Sequence, residues 1–506
     1  MCGIAGIWGE PNSLTLGSML KEISHRGPDG QGSILRDEFA LGHNRLSIID
    51  VYGGSQPMAN EDGTLNLIFN GEIYNHNEIK KDLQHHVFKT DSDSEVILHL
   101  FEDEGKNVVK KLDGMFAFAV CSNEDIYIAR DPLGIKPLYY GSEDGSLYFS
   151  SEIKSLLKAT KDINEFPAGH YYSSKGGFKK YYDLPEIPDK FSTDVEMVIT
   201  VIRKKLEEAV IKRLMSDVPL GVFLSGGLDS SIISSIARKN TNGILHSFAV
   251  GTPQSSDILH SEEISKFLGT EHHTFTYNKK EIINVLPEVI YFLESFDPAL
   301  VRSAIPTYFV SRLARDYVKV VLSGEGADEL FGGYHYLKEF NNTNEELNQE
   351  LRNITSSLHN TNLQRADRIA MANSIEVRVP FLDIKLIDEA LKISPELKLF
   401  FKKPDCCFIE KWILRKVSEP YIPYDFVWRK KEKFSIGSGT AEILENYADE
   451  IISDNEFNRS YLIHDVEIKS KEELLYYKIF KQYYSSPNIL KTIGKSRSLN
   501  PGVIYN

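Results

Sequence analysis

The sequence has few cysteines, no excess of basic residues and no long apolar run. Its 506 residues include four cysteines, too few for a disulfide framework, which favours a reducing compartment. The formal net charge of −14 disfavours a general nucleic-acid or anionic-membrane surface, since its long-range field repels phosphates. No apolar stretch is long enough to span a bilayer, and the first residues lack a secretory signal pattern. We therefore expect a cytoplasmic protein without nucleic-acid or membrane partners.

The two halves of the sequence differ in their secondary-structure pattern. Residues 2–185 contain short segments rich in β-branched and aromatic residues, and helical periodicity appears only in places such as 93–111. This pattern predicts an α+β domain with antiparallel sheet. A proline-containing segment at 183–194 indicates a linker. Across 193–506, apolar strands alternate with amphipathic helices and then give way to mainly helical sequence, which predicts a parallel α/β sheet followed by helices.

A loop rich in glycine and serine, with the sequence SGGLDSS at 225–231, lies between an apolar strand and a helix. Glycine lets backbone N–H groups approach an anion, and the helix N-terminus adds its dipole and free N–H groups. The loop therefore predicts a phosphate-binding site, although a capped turn without a ligand is the alternative. The Walker pattern GxxxxGK[ST] is absent, which disfavours a P-loop kinase or GTPase.

Cys2 follows the initiator methionine and precedes a small glycine, so we expect Met1 to be removed. An N-terminal cysteine carries both a thiol and an α-amine with a reference pKa of about 7.7–8.0. That amine can accept the thiol proton near neutral pH without a histidine partner. Cys2 is thus a candidate nucleophile with its own base. The alternative is a small buried residue on the first strand.

Several longer segments stand in the order found in a known enzyme family. They include HRGPDG, NRLSIID, FNGEIYN, DSDSEVI, LDGMFAFAV and RDPLGIKPLYY in the first half, and SGGLDSS and SGEGADELFGGY in the second. The first half resembles a class II glutamine amidotransferase, and SGGLDSS resembles the pyrophosphate-binding loop of the ATP-pyrophosphatase superfamily. Over nearly its full length the chain resembles glutamine-hydrolysing asparagine synthetase of the bacterial B type. The resemblance implies an N-terminal nucleophile hydrolase sandwich at 2–185, with antiparallel sheets between helices, and an ATP-pyrophosphatase domain at 193–506.

The resemblance assigns residues to a glutaminase site around Cys2. Arg45 would bind the glutamine α-carboxylate and Asp93 its ammonium group, pairings that suit a guanidinium and a carboxylate. Asn70 and Gly71 would form the oxyanion hole, and Glu72 would complete the substrate-binding segment. Each residue has a structural alternative, because Asn-Gly is also a strong hairpin-turn signal and Arg45 could be a surface residue.

The resemblance also assigns a synthetase site. Asp229 and Asp328 are the predicted Mg²⁺ ligands, since magnesium needs oxygen ligands beside ATP phosphates, although a helix cap is the alternative for Asp328. Glu325 is the candidate that accepts the proton lost by ammonia, and the alternative is that it positions the substrate. Arg302 and Arg378 are cation candidates at the acceptor site. The predicted ATP contacts are Leu224, Ser225, Gly226, Gly227, Asp229, Ser230, Val250, Ser323, Gly324 and Lys431.

The implied reaction is glutamine-dependent asparagine synthesis from the small molecules glutamine, aspartate and Mg-ATP. The resemblance also implies an internal ammonia tunnel, and dimers are common among the relatives. The acceptor is less secure, because segment 299–306 lacks the threonines of the bacterial enzyme and Ile436 stands where an aspartate is familiar. An amidotransferase of the same architecture that acts on another carboxylate is therefore the second interpretation. A regulatory or binding protein on the same scaffold is the third.

Overall fold

The computed structural model describes residues 2–340, 343–402, 407–430, 434–460, 462–463 and 466–497. Lys431, a predicted ATP contact, lies outside the described residues, as does Met1. Within these ranges no helix is both long enough and apolar enough to cross a membrane.

The first half forms two six-stranded antiparallel sheets. The strands are β1 (Gly3–Trp8), β2 (Gly30–Leu35), β3 (Phe39–Arg45), β4 (Met58–Ala59), β5 (Asn66–Ile73), β6 (Gly114–Cys121), β7 (Ile126–Arg130), β8 (Tyr139–Glu143), β9 (Ser146–Ser150), β10 (Asn164–Glu165), β11 (His170–Ser173) and β12 (Gly177–Lys180). Their order is β10-β8-β9-β1-β3-β2 in one sheet and β12-β11-β7-β6-β5-β4 in the other. The helices are α1 (Ser13–Glu22), α2 (His76–Asp82), α3 (Glu95–Glu104) and α4 (Ile153–Leu156).

Alternation of side chains along the strands places buried apolar residues on both faces of each sheet. Ile4 of β1 and Ile68 of β5 pack between the two sheets. Their neighbour Ile7 points the other way, toward α1, and Phe69 points toward α3. Because successive side chains of a strand face opposite sides, both sheets are apolar on both faces and are covered by helices outside. The predicted sandwich of antiparallel sheets between helices is confirmed.

The second half contains a five-stranded parallel sheet in the order β15-β14-β13-β16-β17. Its strands are β13 (Leu220–Phe223), β14 (His246–Gly251), β15 (Glu271–Thr276), β16 (Val320–Leu322) and β17 (Glu376–Arg378). The periodicity predicts β13, β14 and β16 but not the polar edge strand β15 or the three-residue β17. Two short hairpins complete the strands: β18 (Phe400–Lys402) with β19 (Cys407–Ile409), and β20 (Leu462–Ile463) with β21 (Val466–Glu467).

Helices surround this sheet and form the C-terminal region. They are α5 (Val195–Lys212), α6 (Leu228–Lys239), α7 (Ser256–Leu268), α8 (Lys279–Leu293), α9 (Pro298–Ala314), α10 (Ala327–Phe331), α11 (Asn344–Ser356), α12 (Asn362–Met371), α13 (Ile384–Lys392), α14 (Pro395–Lys398), α15 (Trp412–Ser418), α16 (Tyr424–Trp428), α17 (Phe434–Gly437), α18 (Thr440–Ile451), α19 (Asp454–Arg459) and α20 (Lys471–Tyr483). Short 3₁₀ helices lie at Ser24–Arg26, Gly105–Lys110, His335–Phe340, Leu358–Asn360, Pro380–Leu382 and Pro487–Thr492.

Local sequence signals set several helix starts. The Asp297 side chain accepts from the N–H of Leu300 and Pro298 occupies the first turn, so α9 begins where both signals agree. The segment Asn344–Ser356 is largely polar, yet it forms helix α11, whose Leu347 and Leu351 are buried. Tertiary packing of these two leucines stabilises a helix that is otherwise polar.

Buried ion pairs join the two halves. Arg26 is fully buried, and its Nη1 lies 2.7 Å from Glu152 Oε1 and 2.8 Å from Asp367 Oδ1. Lys154 bridges Glu152 at 2.5 Å and Glu294 at 3.1 Å. A charge in a low-dielectric interior is strongly destabilising without its partner, so these groups fix how the halves pack against each other.

Candidate active sites

Cys2 lies immediately before β1 and is buried. Its backbone N–H donates to Asn70 Oδ1 at 2.9 Å, and its carbonyl accepts from Arg26 Nε at 3.0 Å. Its Sγ lies 3.9 Å from the carbonyl oxygen of Leu46. Burial raises the pKa of the Cys2 thiol, because desolvation disfavours the thiolate. The thiol therefore needs a base at its side to react near neutral pH.

Asn70 and Gly71 lie within β5 and pair with Ala117 and Phe116 of β6. The hairpin-turn alternative for Asn70-Gly71 is therefore wrong. Asn70 is fully buried, and its Nδ2 has no hydrogen-bond partner among the described residues. A buried unpaired donor costs about 1–3 kcal/mol, so its presence beside Cys2 is consistent with a donor reserved for a ligand. A Cβ on Gly71 would lie 2.1 Å from Met115 O, so the close strand pairing requires glycine.

Arg45 ends β3 and turns back over the loop that follows. Its guanidinium donates to the carbonyl oxygens of Asp50 at 2.6 Å and Val51 at 2.9 Å. Gly54 lies against both the Arg45 guanidinium and Ser92, which precedes Asp93 in the chain. Arg45 is thus partly buried and held beside the Asp93 segment, and the surface-residue alternative is wrong.

Asp93 is buried just before α3, and its Oδ2 accepts from the backbone N–H of Ile73 at 2.8 Å. Burial raises the pKa of Asp93 to about 6, although the Ile73 hydrogen bond opposes this shift. A carboxylate with this pKa is ionised at neutral pH and protonated in mild acid. It can therefore bind an ammonium group only above that pKa.

Glu72 and Arg378 form a buried pair at the junction of the two halves. Arg378 Nη2 lies 3.2 Å from Glu72 Oε1, and Arg378 Nε donates to Glu376 Oε1 at 2.6 Å. The Arg378 side chain is fully buried and does not line the cavity of the second half described below. The expectation that Arg378 belongs to the acceptor site is therefore wrong. Alternation along β17 places Val377 at the cavity and turns the Arg378 side chain toward the first half.

A cavity of about 330 Å³ lies at the carboxyl ends of β13, β14 and β16. Ligands of parallel α/β sheets bind at this edge, because the loops that follow adjacent strands converge there. The predicted ATP contacts that line it are Leu224, Ser225, Gly227, Asp229, Ser230, Val250, Ser323 and Gly324. Gly226 does not line it. Its φ is +72°, and a Cβ there would lie 2.6 Å from His260, so Gly226 shapes the loop instead.

The two glycine-rich loops of the cavity touch each other. A Cβ on Gly324 would lie 2.8 Å from the Asp229 side chain and 3.1 Å from Ser230 N. Glycine therefore lets the loop after β16 pack against the start of α6. This contact brings Asp229 and Asp328 to one wall of the cavity.

Lys411 Nζ lies 2.5 Å from Asp229 Oδ2 and 2.5 Å from Asp328 Oδ1. The two carboxylates hold the pKa of Lys411 above its ordinary value despite burial. Lys411 adopts a left-handed conformation, φ 54°, at the start of α15, which directs this chain segment into the cavity. Lys411 is not among the predicted site residues, because no local pattern distinguishes this lysine from a solvent-exposed one.

Glu325, just before α10, and Glu329, within it, form a further part of the cavity wall. Glu325 lines it and is ion-paired with Arg365, whose Nη1 donates to Thr307 at 2.9 Å. Burial raises the pKa of Glu329 to about 7, and Tyr334 donates to its Oε1 at 2.5 Å. This wall therefore contains two carboxylates in different electrostatic environments.

Arg302, the other predicted acceptor cation, lines the cavity from α9. Its Nε donates to Glu472 at 2.8 Å and its Nη2 at 2.5 Å, so a carboxylate of α20 already neutralises much of its charge. Ala299 and Ile436 also line the cavity, and both are apolar.

Two family models match this chain, one in its first half and one in its second half. The family model for a glutamine amidotransferase domain matches residues 1–182, and the model for asparagine synthase matches residues 201–354 and 339–496. Asparagine synthetase [glutamine-hydrolyzing] 1 of Arabidopsis thaliana is 39% identical over 520 residues, covering 97% of this chain and 88% of that protein. The chain belongs to the glutamine-hydrolysing asparagine synthetase family.

Other members of the asparagine synthetase family match to a similar extent. The enzyme of Sandersonia aurantiaca is 39% identical over 96% of this chain and 96% of that protein, and the probable enzyme of Dictyostelium discoideum is 39% identical over 97% and 95%. Among solved structures, the match to glutamine PRPP amidotransferase from B. subtilis covers 55% of this chain and 91% of that chain, at 17% identity and a TM-score of 0.33.

Proposed function

We propose that the chain carries out glutamine-dependent asparagine synthesis in two half-reactions, one at Cys2 and one in the cavity of the second half. The domains that perform them are residues 2–185 and 193–506. Between β12 and α5 the described chain has no regular helix or strand, which supports this boundary. The scarcity of cysteine supports a cytoplasmic location. A homodimer is an expectation from the family alone.

In the first half-reaction, Cys2 attacks the side-chain amide carbon of glutamine after its own α-amine, freed by removal of Met1, takes the thiol proton. Asn70 Nδ2 and the Gly71 N–H stabilise the oxyanion of the tetrahedral intermediate. The α-amine returns the thiol proton to the departing nitrogen, which leaves as ammonia, and water then hydrolyses the γ-glutamyl thioester to glutamate and the free Cys2 thiol. Arg45 binds the α-carboxylate and Asp93 the ammonium group of glutamine, which orients the amide toward Cys2.

In the second half-reaction, the β-carboxylate of aspartate attacks the α-phosphorus of ATP and pyrophosphate leaves. Backbone N–H groups of the loop at 225–231, at the start of α6, hold the phosphates. Ammonia then attacks β-aspartyl-AMP, AMP leaves, and Glu325 accepts the proton lost by the nitrogen. Arg365 positions the Glu325 carboxylate for this transfer.

The residues around Lys411 fit a magnesium ion carried in with ATP. Asp229 and Asp328 converge on one cation, the Lys411 ammonium, and carboxylate oxygens are the ligands that Mg²⁺ prefers. Mg²⁺ held by these two residues would supply positive charge beside the phosphates. Lys411 would then contribute its charge to the phosphate oxygens directly.

One observation supports the proposal most strongly: β17 touches both sites. Its Arg378 side chain contacts Glu72, which follows Asn70 and Gly71, and its Arg378 carbonyl accepts from Ser323 N at 2.9 Å. Between these contacts, Val377 lines the cavity. The ammonia-releasing site and the activating site therefore share one strand. A short internal route is consistent with chemistry in which ammonia must stay unprotonated.

The test is to incubate the purified protein with glutamine, Mg-ATP and aspartate and to measure asparagine, glutamate and AMP. We expect all three products, with AMP formation dependent on aspartate. Absence of aspartate-dependent AMP would refute aspartate as the acceptor and favour another carboxylate, as the apolar Ala299 and Ile436 would allow.

The matched control is Cys2→Ala with ammonium chloride in place of glutamine. This variant should lose glutamine-dependent synthesis and retain ammonia-dependent synthesis, because only the first site is changed. Mass spectrometry of the N-terminus should show that Met1 is absent. Retention of Met1 in active protein would contradict the assigned base.

A further inference from the structure

A group of imidazoles and carboxylates on the first half contains none of the residues assigned to either proposed site. It is formed by the loop after β4, the loop after α2 and helix α3. We call it the histidine–glutamate cluster, and its members are Glu61, His86, His99 and Glu102. His99 is buried with 1% of its side chain exposed, whereas His86 is 12% exposed, so the cluster opens toward solvent on one side.

One donor atom from each of the four residues lies within 4.8 Å of the others. Glu61 oxygens lie 3.0 Å from His86 Nδ1 and 3.3 Å from His99 Nδ1. Glu102 Oε2 lies 3.2 Å from His99 Nδ1 and 3.8 Å from His86 Nδ1. Zinc binds imidazole nitrogen and carboxylate oxygen at about 2.0–2.2 Å, so neighbouring ligands of a tetrahedral site are separated by about 3.3–3.6 Å.

Hydrogen bonds alone do not account for this convergence. The single Nδ1 of His99 lies within 3.3 Å of two carboxylates, Glu61 and Glu102. One N–H group makes one strong linear hydrogen bond, so only one of these contacts can be ideal. A cation among the four atoms would satisfy all of them together.

A second ring of groups surrounds the four donors. The far nitrogen of His86 faces Asp103 at 3.3 Å, and the far nitrogen of His99 faces Glu95 at 3.5 Å. Metal-binding histidines usually donate their other N–H to a carboxylate, which fixes the tautomer that leaves Nδ1 free to bind. The His86–Asp103 contact is such a hydrogen bond, whereas the His99–Glu95 contact is an ion-pair distance without a hydrogen bond. The second oxygen of Glu102 accepts from Asn60 Nδ2 at 2.8 Å, which orients the carboxylate.

The negative charge around the cluster also favours a bound cation. Glu61, Glu95, Glu102 and Asp103 bring four carboxylates together. Among the described residues, no lysine or arginine forms an ion pair with any of them, and their charged partners are histidines. With neutral histidines, one divalent ion would offset half of this negative charge.

We propose that the histidine–glutamate cluster is a zinc-binding site that joins the loop after β4, the loop after α2 and α3. Two imidazoles with two carboxylates suit Zn²⁺ better than Mg²⁺, which prefers oxygen ligands in octahedral geometry. The ion would stabilise the segment that leads to Asp91 and Asp93. This site is independent of the proposed reaction and takes no part in its chemistry.

The test uses full-length protein freed of metal with a chelator and then titrated with zinc against a chromophoric competitor. We expect one zinc ion per chain, a rise in the thermal unfolding midpoint on zinc binding, and the visible absorption of tetrahedral cobalt when Co²⁺ replaces zinc. Magnesium should produce none of these effects. Wild-type protein that binds no stoichiometric zinc would overturn the proposal.

Variants at His86 and Glu102, two members that are less buried than His99, separate this site from adventitious binding. His86→Ala and Glu102→Gln should each weaken zinc binding about tenfold or more, and remove the zinc-dependent rise in the unfolding midpoint. The matched control is His85→Ala, because His85 is adjacent in sequence and contacts Asp103 at 3.0 Å but is not one of the four donors. Wild-type zinc affinity in both cluster variants, or an equal loss in His85→Ala, would refute the assignment.

Discussion

Replacing Asn70 with aspartate should nearly abolish glutamine hydrolysis without unfolding the protein. Aspartate retains an oxygen that can accept from Cys2 N, as Asn70 Oδ1 does at 2.9 Å, but it loses the buried Nδ2 donor. Loss of one oxyanion donor costs about 2.7–4 kcal/mol in the transition state, a fall in kcat of about 100- to 1000-fold. The KM for glutamine should change little, since Arg45 and Asp93 bind the other end of the substrate.

The assay is glutamate release at saturating glutamine, with ammonia-dependent asparagine formation as the internal control. Asn70→Asp should lose the first activity and retain the second, which shows that the fold and the cavity are intact. Asn70→Ala should be more impaired, because it also removes the acceptor that holds Cys2 N. A wild-type kcat for glutaminase in Asn70→Asp would refute the oxyanion role.

Three further predictions follow from burial and charge. The kcat/KM for glutamine should fall as pH drops through about 6, because protonated Asp93 no longer attracts the ammonium group, and an inflection that persists in Asp93→Asn would contradict this cause. Lys411→Met should abolish asparagine synthesis from both glutamine and ammonia while glutaminase persists; retained synthesis would exclude Lys411 from the phosphate site. Arg26→Met should lower the free energy of unfolding by about 3–5 kcal/mol in urea denaturation, since two buried carboxylates lose a partner. Lys80→Met, at a solvent-exposed pair, should cost about 1 kcal/mol or less.

Much of the fold could be predicted from the sequence because the apolar patterns agree with the final packing. The strands around Ile4, Ile68 and Phe116 and the helix α6 after SGGLDSS are examples, since burial of one or both faces leaves a direct trace in periodicity. The sequence of β15 and β17 shows no such periodicity, so neither strand was predicted. β15 lies at a sheet edge and is polar, and β17 has only three residues, so neighbouring strands decide both.

The candidate sites divide in the same way. The glutaminase assignments, Cys2, Arg45, Asn70 and Asp93, lie in or beside local motifs, and the structure holds Asn70 beside Cys2 and Arg45 beside the Asp93 segment. Lys411 had no motif, because its position between two carboxylates depends on chain segments more than eighty residues apart. Arg378 lies in a recognisable motif but was assigned to the wrong site. The face toward which a side chain points on a short strand depends on the pairing register, which the motif does not specify.

The sequence by itself identified the candidate nucleophile, the candidate phosphate-binding loop and the order of the two halves, because each depends on residues that are adjacent in the chain. Only the tertiary structure decided which charges meet: Lys411 with Asp229 and Asp328, and Arg26 with Glu152 and Asp367. Ion pairs act over a few ångströms in space regardless of separation along the chain, so composition and spacing cannot assign their partners.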